Sequence, residues 1–304
     1  MICEKTIVGA GTEYPLNGML TLPDEAEGPV PAVVMVHGSG PSDMDERVMK
    51  LTPFKDLAEG LAKLGVASLR FDKRTFAHKK KMARSCPTVW DESIEDALRA
   101  AKMLKADSRI DSGRVFILGH SEGAMIAPRI DAEGADAAGI ILMAGTPYRL
   151  EDIVLRQLKQ GASNPAFRWV LGLEYKIFAK KFAGLYEMSD EEAKKKKFAG
   201  SLTLYYFKEM GQKTAADYLL ESTKPALIMQ GSRDFQVLAG DDFAKFKELL
   251  SGRENTVFKL YPGLNHCFVE AIYDDILKAS KEYSKERHIG EEVIGDIAAF
   301  IKAN

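Results

Sequence analysis

The amino-acid sequence predicts an α/β fold, with a mainly parallel sheet, helices on both of its faces and one inserted helical cap. Three observations predict it. Short apolar runs of strand length alternate with stretches whose apolar residues recur at helical spacing. One run, Val115 to Leu118, leads into Gly119-x-Ser121-x-Gly123 and is followed by a helix-compatible stretch. The alternation breaks once, over 148–223, and then resumes.

Taken in order, Glu4 to Val8 and Tyr14 to Leu22 read as two antiparallel strands around the Gly9 to Thr12 turn. Ala32 to Val36 is unbroken apolar sequence, as expected of a strand covered on both faces, and it ends at His37-Gly-Ser-Gly-Pro41. Phe54, Leu57, Ala58, Leu61 and Leu64 mark an amphipathic helix that stops before Gly65. Val66 to Phe71 is the next strand, and residues 91–104 form a helix with Ile94, Ala97, Leu98, Ala101 and Leu104 on one face. Gly139 to Ala144, Ala226 to Gln230 and Thr256 to Tyr261 complete the strands, and a helix over Ile289 to Lys302 closes the chain. Loops at the carboxyl ends of such strands are where a site is expected.

The break from Tyr148 to Thr223 carries helical patterns without a convincing buried strand, so residues 1–147 and 224–304 are assigned to the core and 148–223 to the cap. Ser189-Asp-Glu-Glu192 has the form of a capping box. The lysines 194–197 read as a solvated helix face. Aromatic residues are dense here, including Phe167, Trp169, Phe182, Tyr206 and Phe207, and most are expected in packing, with a minority lining an apolar pocket.

At 304 residues, 46% of them hydrophobic, the chain can bury a large core. Its 42 basic and 44 acidic residues leave a formal charge of −2, which offers no general attraction to nucleic acid or an anionic membrane. The first residues, Met-Ile-Cys-Glu-Lys-Thr, lack the apolar stretch of a signal peptide, and no run approaches a membrane span. Cys3, Cys86 and Cys267 are odd in number and widely spaced, which suggests neither a disulfide framework nor a zinc site. A cytoplasmic protein with reduced cysteines is the expectation.

Gly119-x-Ser121-x-Gly123 between a strand and a helix is a nucleophile elbow, and a serine hydroxyl needs a base and an orienting acid to react at neutral pH. His266, in the turn-rich loop after Thr256 to Tyr261, is the expected general base, and Asp234, after Ala226-Leu-Ile-Met-Gln-Gly-Ser-Arg, the expected acid. Glu270 is the alternative acid, whereas Asp241 and Asp242 open a helical pattern. His37 is assigned to fixing its turn, His120 to the elbow scaffold, and His78 and His288 to the surface. Amides of Ser39 and Glu122 are the expected oxyanion donors.

These segments resemble the α/β-hydrolase superfamily and, within it, a bacterial carboxylesterase group with a His-Gly-Ser-Gly-Pro-Ser-Asp loop (37–43) and a Gly-His-Ser-Glu-Gly elbow (119–123). Gln230 to Asp234 and Tyr261 to His266 also carry the likeness, and the order Ser121, Asp234, His266 is the superfamily's. The resemblance implies hydrolysis of short-chain or aryl carboxylic esters without cofactor or metal, with relatives acting on hydroxycinnamoyl esters. The expected partner is a small-molecule ester, with no nucleic acid or membrane, and a homodimer is left open. An acyl-thioester hydrolase, a small-peptide hydrolase and a non-catalytic binding protein are the alternatives. One departure stands out: after Phe71-Asp-Lys-Arg74, where relatives commonly have a Gly-x-Gly turn, this chain reads Thr75-Phe-Ala-His-Lys. A changed pocket entrance is expected there, with Asp72 and Arg74 as a structural ion pair.

Overall fold

The computed structural model describes residues 1–24 and 26–304. Its strands are β1 (Ile2–Val8), β2 (Leu16–Leu22), β3 (Val30–Val36), β4 (Ala67–Phe71), β5 (Ile110–His120), β6 (Ile140–Met143), β7 (Lys197–Ala199), β8 (Leu202–Thr203), β9 (Ala226–Gly231) and β10 (Thr256–Tyr261). Eight of them form one sheet in the order β1-β2-β4-β3-β5-β6-β9-β10. β1 pairs antiparallel with β2, and β2 antiparallel with β4. From β4 onward every pairing is parallel. This is the α/β-hydrolase fold.

The parallel strands alternate their side chains between two dry layers, because successive residues of a strand point to opposite faces. Ala32, Val34 and Val36 of β3 enter one layer, which also takes Ala97, Ala101 and Leu104 from the helix Glu95–Ala106 and Ile126 and Ile130 from Glu122–Ile130. Val33 and Met35 enter the other, against Leu57 and Leu61 of Pro53–Lys63 and Ile294, Ile297 and Ile301 of Glu291–Ala303. Each fully buried Leu, Ile or Phe contributes about 1.5–3 kcal/mol, so these layers carry most of the stabilisation.

After β3 the chain moves to β4 on one side, and β5 then lies on the other. The order therefore reverses around β3, and the crevice outside the carboxyl ends of β3 and β5 is where an α/β sheet holds a ligand. Over these ends lies the chain between β6 and β9, with helices Leu150–Gly161, Arg168–Phe182, Asp190–Lys195, Leu204–Met210 and Ala215–Glu221. It also contains the β7-β8 hairpin, which the sequence pattern does not reveal because each strand is only two or three residues long. Ser189 caps its helix by accepting from the Glu192 amide at 3.2 Å, while the reciprocal capping box forms at Thr214 and Asp217.

The departure after Phe71 folds as two short helices, Arg74–Ala77 and Lys79–Ser85. The expected Asp72–Arg74 pair does not form. Arg74 turns to Asp96, at 2.6 and 2.8 Å, and to Glu95 at 2.7 Å, whereas Asp72 accepts from the Met44 amide at 2.9 Å. The strand ends at Phe71 and Arg74 opens a helix, so the chain turns between the two residues, and the nearby helix Glu95–Ala106 offers Arg74 two carboxylates. Among the described residues no helix is long and apolar enough to cross a membrane.

Candidate active site

Ser121 ends the turn between β5 and the helix Glu122–Ile130 with φ 54° and ψ −117°, a strained conformation for a residue with a side chain. Its amide donates to Met143 O of β6 at 2.9 Å, and its carbonyl accepts from Ala124 N at 3.0 Å. Gly119 and Gly123 make this turn sterically feasible. A Cβ on Gly119 would collide with Gly123 O, and one on Gly123 with Val36 O of β3. Strand, turn and helix thus interlock only with glycine at both flanks.

His266 Nδ1 lies 2.7 Å from Asp234 Oδ2, and both residues are buried. The carboxylate is itself held. Asp234 Oδ1 accepts from the amides of Gln236 at 2.7 Å and Val237 at 3.0 Å, and Oδ2 also accepts from Gln230 Nε2 at 2.9 Å. An ionised acid in this position keeps the proton on Nδ1 and leaves Nε2 as the acceptor. Ser121 and His266 line the same cleft, together with Gly38 and Ser39. The alternative acid, Glu270, is exposed.

The loop bearing His266 is fixed by Asn265 and by His120 of the elbow scaffold, with Glu282 and Glu46, which no motif singled out, behind them. Buried Asn265 accepts from the Cys267 amide at 2.9 Å and donates to Glu282 Oε1 at 2.7 Å. His120 donates from Nε2 to the His266 carbonyl at 2.9 Å, and its Nδ1 lies 3.0 Å from Glu46 Oε2. Burial works against a charge on His120, but Glu46 outweighs it and raises the pKa above the usual histidine value. His120 thus links the elbow to the backbone of the expected base, His266. His37 is fixed the other way: burial lowers its pKa to about 4, and the neutral ring donates to Asp43 O at 2.9 Å.

Comparisons with known proteins bear on the family and the fold. The family described as serine aminopeptidase, S33, matches residues 29–270. The chain belongs to this serine hydrolase family. Esterase EstD of Thermotoga maritima is 37% identical over 286 residues, 94% of this chain, and this chain spans 65% of that protein's length. Est1E of Butyrivibrio proteoclasticus, in a structure with ferulic acid bound, superposes with a TM-score of 0.62 at 17% identity over 98% of this chain and all of that one. The Pyrococcus furiosus esterase Pf2001 gives 0.59 at 18% identity, over 99% of this chain and 91% of that one. At such identities these two structures speak for the fold alone.

Beside the elbow is a buried ionic cluster. Lys73 Nζ lies 2.8 Å from Gly38 O, 3.0 Å from Glu92 Oε1 and 3.4 Å from Glu122 Oε2. Tyr206, from the segment between β6 and β9, brings its hydroxyl to 2.6 Å from Glu122 Oε1 and 2.9 Å from Glu92 Oε2. A hydroxyl has one hydrogen to donate, so two such contacts require a proton on one of the carboxyls. Burial raises the Glu122 pKa above its usual value, with Lys73 offsetting only part of the effect. Lys73 stays charged, since Glu92 and Glu122 outweigh the cost of its burial.

A cavity of about 520 Å³ opens from Ser121 between the core and the overlying segment. Met125, Leu150, Ile153, Val154 and Phe207 make it largely apolar, and Thr75 and Met82 of the departed loop form part of its wall. Of the aromatics in the segment, Phe182, Tyr206 and Phe207 are buried, whereas Phe167 and Trp169 face outward. The segment is tied down by Arg156, which pairs with Asp241 at 2.8 Å and with fully buried Asp242 at 2.5 Å. The lysines 194–197 are exposed as expected, but only Lys194 and Lys195 are helical: Lys196 caps the helix and Lys197 opens β7.

Proposed function

We propose that the protein is a serine carboxylesterase that hydrolyses short-chain or aryl carboxylic esters through an acyl-enzyme on Ser121. The observation that carries this reading is the 2.7 Å contact of His266 Nδ1 with Asp234 beside a strained Ser121 in the same cleft. In the mechanism, Ser121 Oγ attacks the ester carbonyl while His266 Nε2 takes its proton. The tetrahedral oxyanion accepts hydrogen bonds from the amides of Ser39 and Glu122. As the first residue of its helix, Glu122 has no intrahelical partner for its N–H. His266 returns the proton to the departing alcohol, and water then attacks the acyl-enzyme with the same base. None of these steps calls on a metal or organic cofactor.

The segment 148–223 acts in this scheme as a cap that closes an apolar acyl pocket, and the 520 Å³ cavity suits a short or aromatic acyl group. The family description and the ferulic acid bound by Est1E suggest two substrate classes, peptides and aryl esters. A peptide N-terminus needs a free carboxylate to receive its ammonium. The carboxyls at this cavity, Glu92 and Glu122, are already engaged by Lys73 and Tyr206, which favours neutral esters.

The test is a panel of p-nitrophenyl esters from acetate to palmitate, with methyl ferulate, an acyl-CoA and leucine p-nitroanilide, on wild type and Ser121→Ala. Short or aryl esters should turn over, and the substitution should lower kcat by about 10⁴-fold or more. Turnover of the acyl-CoA or the anilide alone would replace the esterase reading.

A further inference from the structure

The Ser39 amide, one of the two expected oxyanion donors, is half of a peptide unit whose other half is the Gly38 carbonyl. A trans peptide is planar and stiff, and its C=O and N–H point in opposite directions. Whatever holds Gly38 O therefore sets the direction of the Ser39 N–H. Lys73 Nζ holds it at 2.8 Å, with the lysine side chain only 2% exposed. The same ammonium reaches Glu122 Oε2 at 3.4 Å, on the residue whose amide is the second donor. From the opposite side, the Gly38 amide donates to Glu46 Oε1 at 2.8 Å, so the segment before Ser39 is gripped at both ends. Gly38 also lies close against the nucleophile, since a Cβ there would stand 3.1 Å from Ser121 Cβ.

We propose that Lys73 is a positioning residue for the oxyanion hole: its buried ammonium aims the Gly38–Ser39 peptide and braces the first residue of the elbow helix. It touches no substrate and transfers no proton in the reaction. Its effect is preorganisation, through a charge-assisted hydrogen bond that fixes the peptide plane and polarises its N–H toward the developing charge. Glu92 holds the ammonium at 3.0 Å and is itself held by the Tyr206 hydroxyl at 2.9 Å, so the chain between β6 and β9 contributes to the positioning of the donors. The inference rests on the esterase reading and on Ser39 and Glu122 as the donors.

The experiment compares Glu92→Gln with the pair Lys73→Met/Glu92→Gln. Removing ammonium and carboxylate together leaves no buried charge stranded, so the pair folds where Lys73→Met alone could fail. Unfolding midpoints check this. Two quantities are read: kcat and KM on a p-nitrophenyl ester, and the inhibition constant of an aryl trifluoromethyl ketone, which adds to the serine and places an oxyanion in the hole. The pair should fall about 10- to 100-fold below Glu92→Gln in kcat, less than the 10²–10³ of a deleted donor. KM should change by less than about threefold, and ketone binding should weaken by the same factor as kcat. Equal kcat and equal ketone affinity in the two variants would overturn the inference, as would a loss confined to the unfolding midpoint. A wild-type protein that neither hydrolyses the esters nor binds the ketone would overturn the esterase reading itself.

Discussion

The strand-end loops and the chain laid over them are held by different means. At the strand ends each site residue is pinned by several short hydrogen bonds to neighbouring backbone. Asp234 has two amides and a glutamine, His266 has Asp234 on its ring and His120 on its carbonyl, and Ser121 is locked by β6. The segment between β6 and β9 has an aromatic cluster of its own and is joined to the core by a few polar side chains, Arg156 and Tyr206 among them, and by apolar residues such as Met210, Ala216 and Leu219 that continue one layer of the core. Its outer helix, Arg168–Phe182, leaves Trp169 80% exposed. The contrast separates a frame that holds atoms to a fraction of an ångström from a cover that, Tyr206 apart, lines and encloses a pocket.

If that division holds, substitutions should lose effect with distance from the strand ends. Asp234→Asn keeps the shape of the side chain but presents an NH2 to the imidazole and favours the wrong tautomer. A fall in kcat of about 10³- to 10⁴-fold with an unchanged unfolding midpoint is expected. Near-normal turnover would remove Asp234 from the site. At the joint, Arg156→Met leaves fully buried Asp242 with its Thr146 and Leu238 partners but no cation. Urea unfolding should record a loss of about 3 kcal/mol. A stability change without altered KM would mean that the segment is anchored independently of the pocket. On the outer face, Trp169→Ala should alter stability by less than about 0.5 kcal/mol and leave ester turnover unchanged. A larger loss would show that this helix is covered in solution and that the comparison is drawn from the wrong assembly.

The elbow was legible in the sequence because its steric demands are local: one residue at positive φ needs glycine at both flanks, and the motif is only five residues long. The runs Ala32 to Val36 and Ala226 to Gln230 were equally plain, since a strand buried on both faces has no polar positions to disguise it. The cluster beside the elbow was not legible. Lys73 sits in Phe71-Asp-Lys-Arg74, where attention falls on Asp72 and Arg74, and the other members of the cluster, Glu92, Glu122 and Tyr206, span more than a hundred residues of chain. A lone charged residue gives no sign in sequence of being buried, because burial depends on partners that arrive from other elements.

By itself, then, the sequence determined what depends on near neighbours: the strand series, the helix faces, the elbow, and which residue types end up on loops after strands. Tertiary structure alone decided which of those residues meet. It brought His266 to Asp234 across 32 positions, sent Arg74 to Asp96 rather than Asp72, and placed Lys73 behind the Gly38–Ser39 peptide. The physical reason is range. Backbone sterics and hydrophobic periodicity act over a few residues and are written locally, whereas a buried charge is settled by whichever opposite charge the packed sheet and its cover bring within about 3 Å.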